Sequence, residues 1–413
     1  MAVDPKQILS AFLTLTMFGL IVNMIKRDHF DPVEKVTLPG TSGDQFDRVT
    51  DQRHVSLAKV GNAPWKEDSP ELKPCWSKPE PKDERSKGFI TFSLTNGPEY
   101  HISQIVDAVV VARYLGATLV LPDIRGTKLG EKRNFQEIYD VEKFVKSLDG
   151  VIEISKDQPA QISKGKLAVV KVPNWVTKDF IEEQIEPIFR TTGTLRLVTY
   201  FPSVNMKKTE EKKDSDSIAC LAMFHTLKLQ PEVHEVVDSM VGRLRTLSRK
   251  SDGQFIAVDL RVEMLESKGC QGSGKKSCYN AQEIGEFLRK IGFSRGTTIY
   301  LTQSWWHSSF DALKEIFPNV YTKENIMPAE KKYKFLNSGS LESAIDFYIC
   351  SQSDVFVPAI SGLFYANVAG KRITSGKTQI LIPAQVSNSS ASASDFISSY
   401  VSKRNHFVYS CFC

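Results

Sequence analysis

Two stretches of the chain alternate short apolar runs with longer amphipathic ones, and that rhythm leaves few folds open. GFITFSL (88–94) reads as a buried strand and TNGPEY (95–100) as a tight loop. His101 to Leu115 then sets Ile102, Ile105, Val106, Val109 and Val110 on one helical face, before the strand ATLVLP (117–122). Strand, glycine-containing loop, helix and strand within about 35 residues make a βαβ unit and predict a parallel sheet. The pattern returns with FIAVDL (255–260), TIYLTQ (298–303), DVFVP (354–358) and QILIP (379–383) as strands. Helices are expected near Ala281–Ile291, Ser308–Phe317, Leu341–Ser351 and Gly362–Val368. The charged loop MKKTEEKKDSDS (206–217) and an amphipathic helix over Pro231–Leu247 separate the halves. The expectation is two doubly wound, Rossmann-like α/β domains, 87–245 and 250–413, with a binding site in the cleft between them.

The chain before residue 87 has a different character. After a short tail (1–7), Ile8 to Ile25 holds no charged residue and reaches about 27 Å as a helix, enough to span a membrane. The run ends in Asn-Met-Ile-Lys-Arg without small residues for cleavage, so it reads as an uncleaved signal anchor rather than a signal peptide. Lys6 and the α-amine before the span balance Lys26 and Arg27 after it, which leaves its orientation open. Residues 26–86, rich in Pro, Asp, Lys and Glu, read as a stem whose end Cys75 and Trp76 dock on the body. At 413 residues, 41% hydrophobic and 24% charged, the remainder is globular. A formal charge of +5 gives no reason to expect a nucleic-acid partner, yet a few focused cations suit an anionic small substrate.

Seven cysteines show no CxxC spacing, which argues against a zinc site; the terminal Cys411-Phe-Cys413 offers two thiols without further ligands. Cys270 and Cys278 flank a Gly/Ser/Lys loop that a small disulfide would close in an oxidising compartment. Asn388-Ser-Ser is a glycosylation sequon in a Ser-rich loop. Asp214-Ser-Asp216 matches a metal-carrying D-x-D, but it lies in a Lys/Glu run and reads as a solvated loop, so no obligatory metal is expected.

Ligands of open α/β sheets collect beyond strand C-termini, where helix N-termini offer free N–H groups to anions. Asn96 and Gly97 occupy the first such loop. Asp259-Leu260-Arg261 stands where the second domain's first strand ends, with Asp259 and Arg261 on one side and Leu260 on the other. Arg261 is either half of an ion pair with Asp259 or Glu263, or a rigid fork for two phosphate oxygens. Asp346 is either a helix-surface residue or a two-point acceptor for guanine. Ser361, Gly362, Leu363 and Phe364 open the next helix, where N–H groups can meet a diphosphate and Phe364 can pack or stack.

DAVVVARYLGATLVLP, FIAVDLRVEMLESKGC, IYLTQ, IFPNVYTKE and SAIDFYICSQSDVFVPAISGLFYANVAGKR, in that order, resemble the plant O-fucosyltransferase-like proteins, glycosyltransferase family 106, and among them the mannan-synthesis-related branch. The resemblance runs from about residue 87 to 385. It implies a GT-B-like body on the lumenal side of the Golgi membrane, carried by a single-pass type II anchor. It implies a GDP-sugar donor, typically GDP-fucose, a glycan or polysaccharide acceptor, and neither metal nor cofactor. In the family pattern the second domain's first strand ends in His-Leu-Arg, whose arginine holds the donor's β-phosphate; Arg261 matches it, Asp346 matches an acidic position at the guanine, and Ser361 to Phe364 match the diphosphate loop. Glu263 is a candidate acceptor-side base. Asp259 stands in place of the histidine, Asn96-Gly-Pro-Glu-Tyr100 in place of Gly-Gly-x-Asn-Gln, and Ala359-Ile-Ser-Gly-Leu363 in place of Thr-His-Gly-Gly-Asn. The expected function is a Golgi glycosyltransferase of mannan or glucomannan synthesis. The altered loops also suit an inactive accessory protein that assists a mannan synthase.

Overall fold

The computed structural model describes Trp65 and residues 71–81, 86–126, 131–160, 162, 167–202, 206, 215–263, 278–336, 338–383 and 393–413. The expected membrane span (8–25), most of the stem, Asp214, Cys270 and the sequon Asn388 lie outside the described residues. Among the described residues no helix is long and apolar enough to cross a membrane.

The strands in chain order are β1 (Phe89–Thr91), β2 (Ser93–Thr95), β3 (Thr118–Val120), β4 (Asp123–Arg125), β5 (Lys132–Asn134), β6 (Ile154–Ser155), β7 (Ala168–Pro173), β8 (Thr194–Tyr200), β9 (Phe255–Asp259), β10 (Thr298–Leu301), β11 (Val320–Tyr321) and β12 (Val355–Pro358). A five-stranded parallel sheet runs β6-β3-β1-β8-β7, and a four-stranded parallel sheet runs β11-β10-β9-β12. The strand order reverses around β1 in the first and around β9 in the second. Each is thus a doubly wound sheet with its crevice beyond a central strand. The expected strands over 88–94 and 117–122 each divide. Phe89–Thr91 stays in the main sheet, whereas Ser93–Thr95 leaves it to pair with Asp123–Arg125 in a three-stranded side sheet with β5. Pro122 has no N–H to continue the ladder, and the break falls at that point.

Among the described residues the helices of ten residues or more are α1 (Pro98–Leu115), α2 (Ser215–His225), α3 (Pro231–Leu247), α4 (Ala281–Lys290), α5 (Ser340–Gln352) and α6 (Leu363–Thr374). Helix α1 starts with Pro98 at its first turn, where a missing N–H costs nothing, and stops at Gly116 in the left-handed region (φ 65°). It is buried nearly all round, as a helix covered on every side must be. On one flank it meets α2 of its own lobe and on the other α5 and α6 of the second. One continuous apolar core therefore joins the lobes, from Ile90 and Leu119 through Val109 to Phe347 and Phe364. Spacing puts α3 at the end of the first domain, yet it packs on α5 and beside β10, and Arg245 pairs with Asp354 (3.4 Å).

The C-terminus returns to the first lobe. Cys411 is disulfide-bonded to Cys220 of α2 and Cys413 to Cys75, so the terminal thiols are structural links rather than metal ligands. Lys73 and Cys413 exchange backbone hydrogen bonds, and Trp76 stands edge-on to His225, which docks the stem's end as expected. Cys278 is also disulfide-bonded, and Cys270, its expected partner, lies outside the described residues.

Helix α6 is anchored at its far end by Arg372, a fully buried guanidinium that pairs with no carboxylate among the described residues. It donates to the carbonyls of Cys350, Ser353, Asp354 and Gln379 at 2.7–3.0 Å, and to Ser353 Oγ at 2.9 Å. Burial pushes its pKa down to about 10. Arg372→Leu strands several buried carbonyls, so denaturant unfolding should show a loss of about 3 kcal/mol or more. A loss under about 1 kcal/mol, the range of an ordinary surface substitution, would contradict this accounting.

Candidate active site at the lobe junction

A cavity of about 410 Å³ opens between the lobes. The first lobe lines it with Asn96, Gly97, Glu99, Tyr100 and Arg125, and the second with Asp259, Arg261, Gly339, Ser340 and the 360–364 loop. Both switch points thus face one space: the loop after β2, continuing β1, and the loops after β9 and β12. The N-termini of α1, α5 and α6 converge there. Each follows a glycine (Gly97, Gly339, Gly362) that offers no side-chain cap; at α1 Pro98 has no N–H and the Tyr100 N–H donates to the Gly97 carbonyl (2.9 Å), so that helix contributes the positive end of its dipole rather than free donors. Three positive helix ends around one cavity favour negative charge there. Gly362 has φ 141°, a value that excludes most side chains, and Gly97 is sterically required because a Cβ there would lie 2.4 Å from Glu99 Oε2.

Arg261 sits among these helix ends. Its Nε donates to Asp259 Oδ1 (3.1 Å) and its Nη2 to Oδ2 (3.5 Å), and the guanidinium lies 5.0 Å above the Phe364 ring. Of the two sequence readings of Arg261, the ion pair with Asp259 is the one present. One edge of the fork is held by Asp259, while Nη1 has no acceptor among the described residues. Asp259 is 1% exposed and also accepts from Thr302 Oγ1 (3.0 Å). Burial pushes its carboxyl up and the Arg261 charge opposes that shift; the surrounding carboxylates in turn raise Arg261 further, although burial acts against its charge.

Of the residues expected from sequence, Asn96, Gly97, Asp259, Arg261, Ser361, Gly362, Leu363 and Phe364 line this cavity together. Leu260 does not: its side chain faces the opposite way into the second lobe's rear core, as the strand alternation requires. Asp346 is not among the lining residues, and both its oxygens are committed, Oδ2 to Lys323 Nζ (2.6 Å) and Oδ1 to Tyr300 Oη (2.7 Å), in a buried pair. Glu263 is exposed beside the site and accepts from Gln303 Nε2 (3.3 Å) without lining the cavity. Phe364 both packs, edge-on to Phe347, and floors Arg261.

Sequence reasoning passed over Glu99, Tyr100, Arg125, Glu131 and the Gly339–Ser343 turn. An acidic residue in a helix's first turn is so common that nothing marks Glu99, and α5 follows no strand that would have pointed to its N-terminus. Glu99 is 6% exposed, and its Oε2 has no hydrogen-bond partner among the described residues. Removal from water, partly offset by the Arg261 charge, pushes its carboxyl from 4.5 up to about 7.

Two Rossmann-like sheets facing one cleft, with an arginine and uncapped helix ends at the switch points, define an α/β protein of GT-B-like organisation. Residues 101–375 match the family described as GDP-fucose protein O-fucosyltransferase, and the chain belongs to that family. It is 54% identical over 426 residues to Protein MANNAN SYNTHESIS-RELATED 1 of Arabidopsis thaliana, and 48% identical over 419 residues to Protein MANNAN SYNTHESIS-RELATED of Trigonella foenum-graecum, covering 100% of each chain in both cases. O-fucosyltransferase 29 of Arabidopsis thaliana is 28% identical over 74% of this chain and 61% of its own length. Among solved structures, POFUT1 in complex with GDP superposes with a TM-score of 0.46 at 16% identity, covering 73% of this chain and 100% of that one.

The buried carboxyl predicts a pH effect. Glu99 keeps its proton up to about pH 7 when folded but loses it near 4.5 when unfolded. In that window the folded state binds more protons, so the stability this group contributes is fully present below pH 4.5 and is lost as pH rises through 7. Glu99→Gln removes the titration. Denaturant unfolding should show the variant gaining on the wild type between pH 4.5 and 8, by up to about 3 kcal/mol. A stability difference that does not change with pH would contradict the assignment.

Proposed function

We propose that the protein is a glycosyltransferase that takes its sugar from a GDP-sugar donor and acts in mannan or glucomannan synthesis. The observation that carries this reading is the convergence of Arg261 and three glycine-capped helix N-termini on one cavity between two Rossmann-like lobes. A diphosphate carries the charge that such a cavity stabilises. The family supports a sugar nucleotide as its source and a glycan as acceptor, and the mannan-synthesis-related relatives support the polysaccharide. A Golgi location, with the 8–25 segment as a type II anchor and the body lumenal, belongs to the same reading, and three disulfide-bonded regions suit an oxidising compartment.

The acceptor oxygen attacks the anomeric carbon while the bond from that carbon to the β-phosphate oxygen breaks, and its electron pair leaves with GDP. Charge grows on the leaving oxygen in the transition state, so a preorganised cation there accelerates the step rather than merely binding the donor. Arg261 supplies it through the edge that Asp259 leaves open, and Asp259 fixes the orientation of the fork. Arg261 and the helix ends serve as the countercharge, and transfer is expected to persist in the presence of a chelator.

Arg261→Ala leaves Asp259 buried without its cation, so Arg261→Lys is the cleaner probe: it keeps the charge and loses the fork. With the purified protein, GDP-fucose or GDP-mannose should bind in a calorimeter, and Arg261→Lys should slow transfer on the order of 100-fold while the protein stays folded. Full transfer by Arg261→Ala would remove the arginine from the mechanism. One observation favours a second reading, an accessory protein for a mannan synthase: Arg261 and Asp346 are both engaged by internal partners. Failure of GDP, GDP-fucose and GDP-mannose to bind would establish that reading over the first.

A further inference from the structure

Three carboxylates line the cavity: Glu99, Glu131 and Asp259. Asp259 is committed to Arg261 and Thr302. Glu131 lies at the more exposed rim, 3.9 Å from Arg133. Glu99 alone has no cation within ion-pair distance among the described residues, and one of its oxygens is buried with no hydrogen bond at all. Leaving a buried carboxylate unpaired costs free energy, and such groups concentrate where chemistry needs them.

Its placement is also specific. Glu99 stands on α1, on the first-lobe wall, whereas Arg261 stands on the second-lobe wall of the same space. Its carbonyl oxygen accepts from Asn367 Nδ2 (3.2 Å) of α6, and its Oε2 lies against Gly97, so backbone and carboxyl are both fixed. An in-line displacement, with the leaving diphosphate on one wall, places its nucleophile and the group that deprotonates it on the other.

We propose that Glu99 is the catalytic base of the transfer, an assignment that rests on the donor reading above. As the acceptor oxygen forms its bond to the anomeric carbon, its proton passes to the Glu99 carboxylate, and the electron pair of the broken bond leaves on GDP. The proton returns to water when products depart. This role displaces the exposed Glu263, which lies outside the cavity.

The groups that set the charge around Glu99 are Arg261 and Asp259 at the end of β9, and Asp346 of α5, itself paired with Lys323; Arg125 and Glu131 stand at the mouth, and His101 follows on α1 itself. Burial outweighs Arg261, so a base titrating at about 7 is poised near neutral pH.

The test measures GDP binding by calorimetry, and GDP release from the GDP-sugar with mannooligosaccharide as acceptor, for the full-length wild type, Glu99→Gln and Glu99→Asp across pH 5 to 8.5. Wild-type turnover should rise with pH to a plateau, with a midpoint near 7. Glu99→Gln should bind GDP like the wild type, lose on the order of 100-fold in turnover and show no rise through neutral pH. Glu99→Asp should regain part of the rate and the pH dependence. Normal turnover and an unchanged pH profile in Glu99→Gln would overturn the base assignment while leaving the donor reading intact. A wild type that binds GDP but releases none from the donor would likewise overturn it. Absence of GDP binding by the wild type would instead remove the donor reading, and the base with it.

Discussion

Burial of one helix, Pro98–Leu115, between the two lobes is the constraint on which the site depends. A helix covered on every side cannot rotate or slide without exposing apolar surface, at about 25 cal/mol for each Å² returned to water. Its polar residues tighten the placement. Gln104 accepts from the Thr95 backbone N–H (3.0 Å) and donates to Thr95 Oγ1 (2.8 Å), fixing the turn in which Asn96 takes a left-handed conformation. Asn367 reaches from α6 to the carbonyl of Glu99 and also donates to the Leu363 carbonyl (3.2 Å). The first-lobe wall of the cavity is thereby referenced to the helix that begins its second-lobe wall, and both walls belong to one apolar core.

Within that frame the electrostatics oppose each other by design of position. Three helix N-termini and Arg261 favour an anion, while Asp259 and Glu99 place negative charge within the same space. Asp259 resolves its part by clamping one edge of the guanidinium, which orients the other edge without neutralising the whole field. Glu99 resolves its part through burial, which favours its protonated form up to about pH 7. A group that is neutral or charged near the working pH is compatible with an anionic ligand and still available as a proton acceptor.

Much of the architecture was legible in the chain because parallel sheets covered on both faces write long apolar runs, and FIAVDL and DVFVP became the adjacent strands β9 and β12 as the spacing required. Arg261 was legible as a strand-end cation, and the side of the strand it shares with Asp259 followed from alternation alone. The break of 88–94 into two strands was not, because it follows the pairing of Ser93–Thr95 with Asp123–Arg125, beyond Pro122, which the segment itself does not announce. Asp346 shows the limit for site residues. Its acidic character is visible, but Lys323 lies 23 positions earlier and Tyr300 a further 23 before that, and only the fold brings them together. Glu99 was hidden for the opposite reason, being an ordinary first-turn acid until its burial and missing partner are known.

The links at the C-terminus complete the same construction. Cys411 and Cys413, at the end of the second lobe's chain, are tied to Cys220 and Cys75, so the first lobe, the stem's end and the second lobe close into one unit around the cavity. Solving the structure of the protein with GDP bound is the most direct test of the account. It predicts the diphosphate within hydrogen-bond distance of Arg261 Nη1 and of the backbone N–H groups that begin α6, with Asp259 still holding Nε. GDP found elsewhere, or a diphosphate out of reach of Arg261, would contradict it.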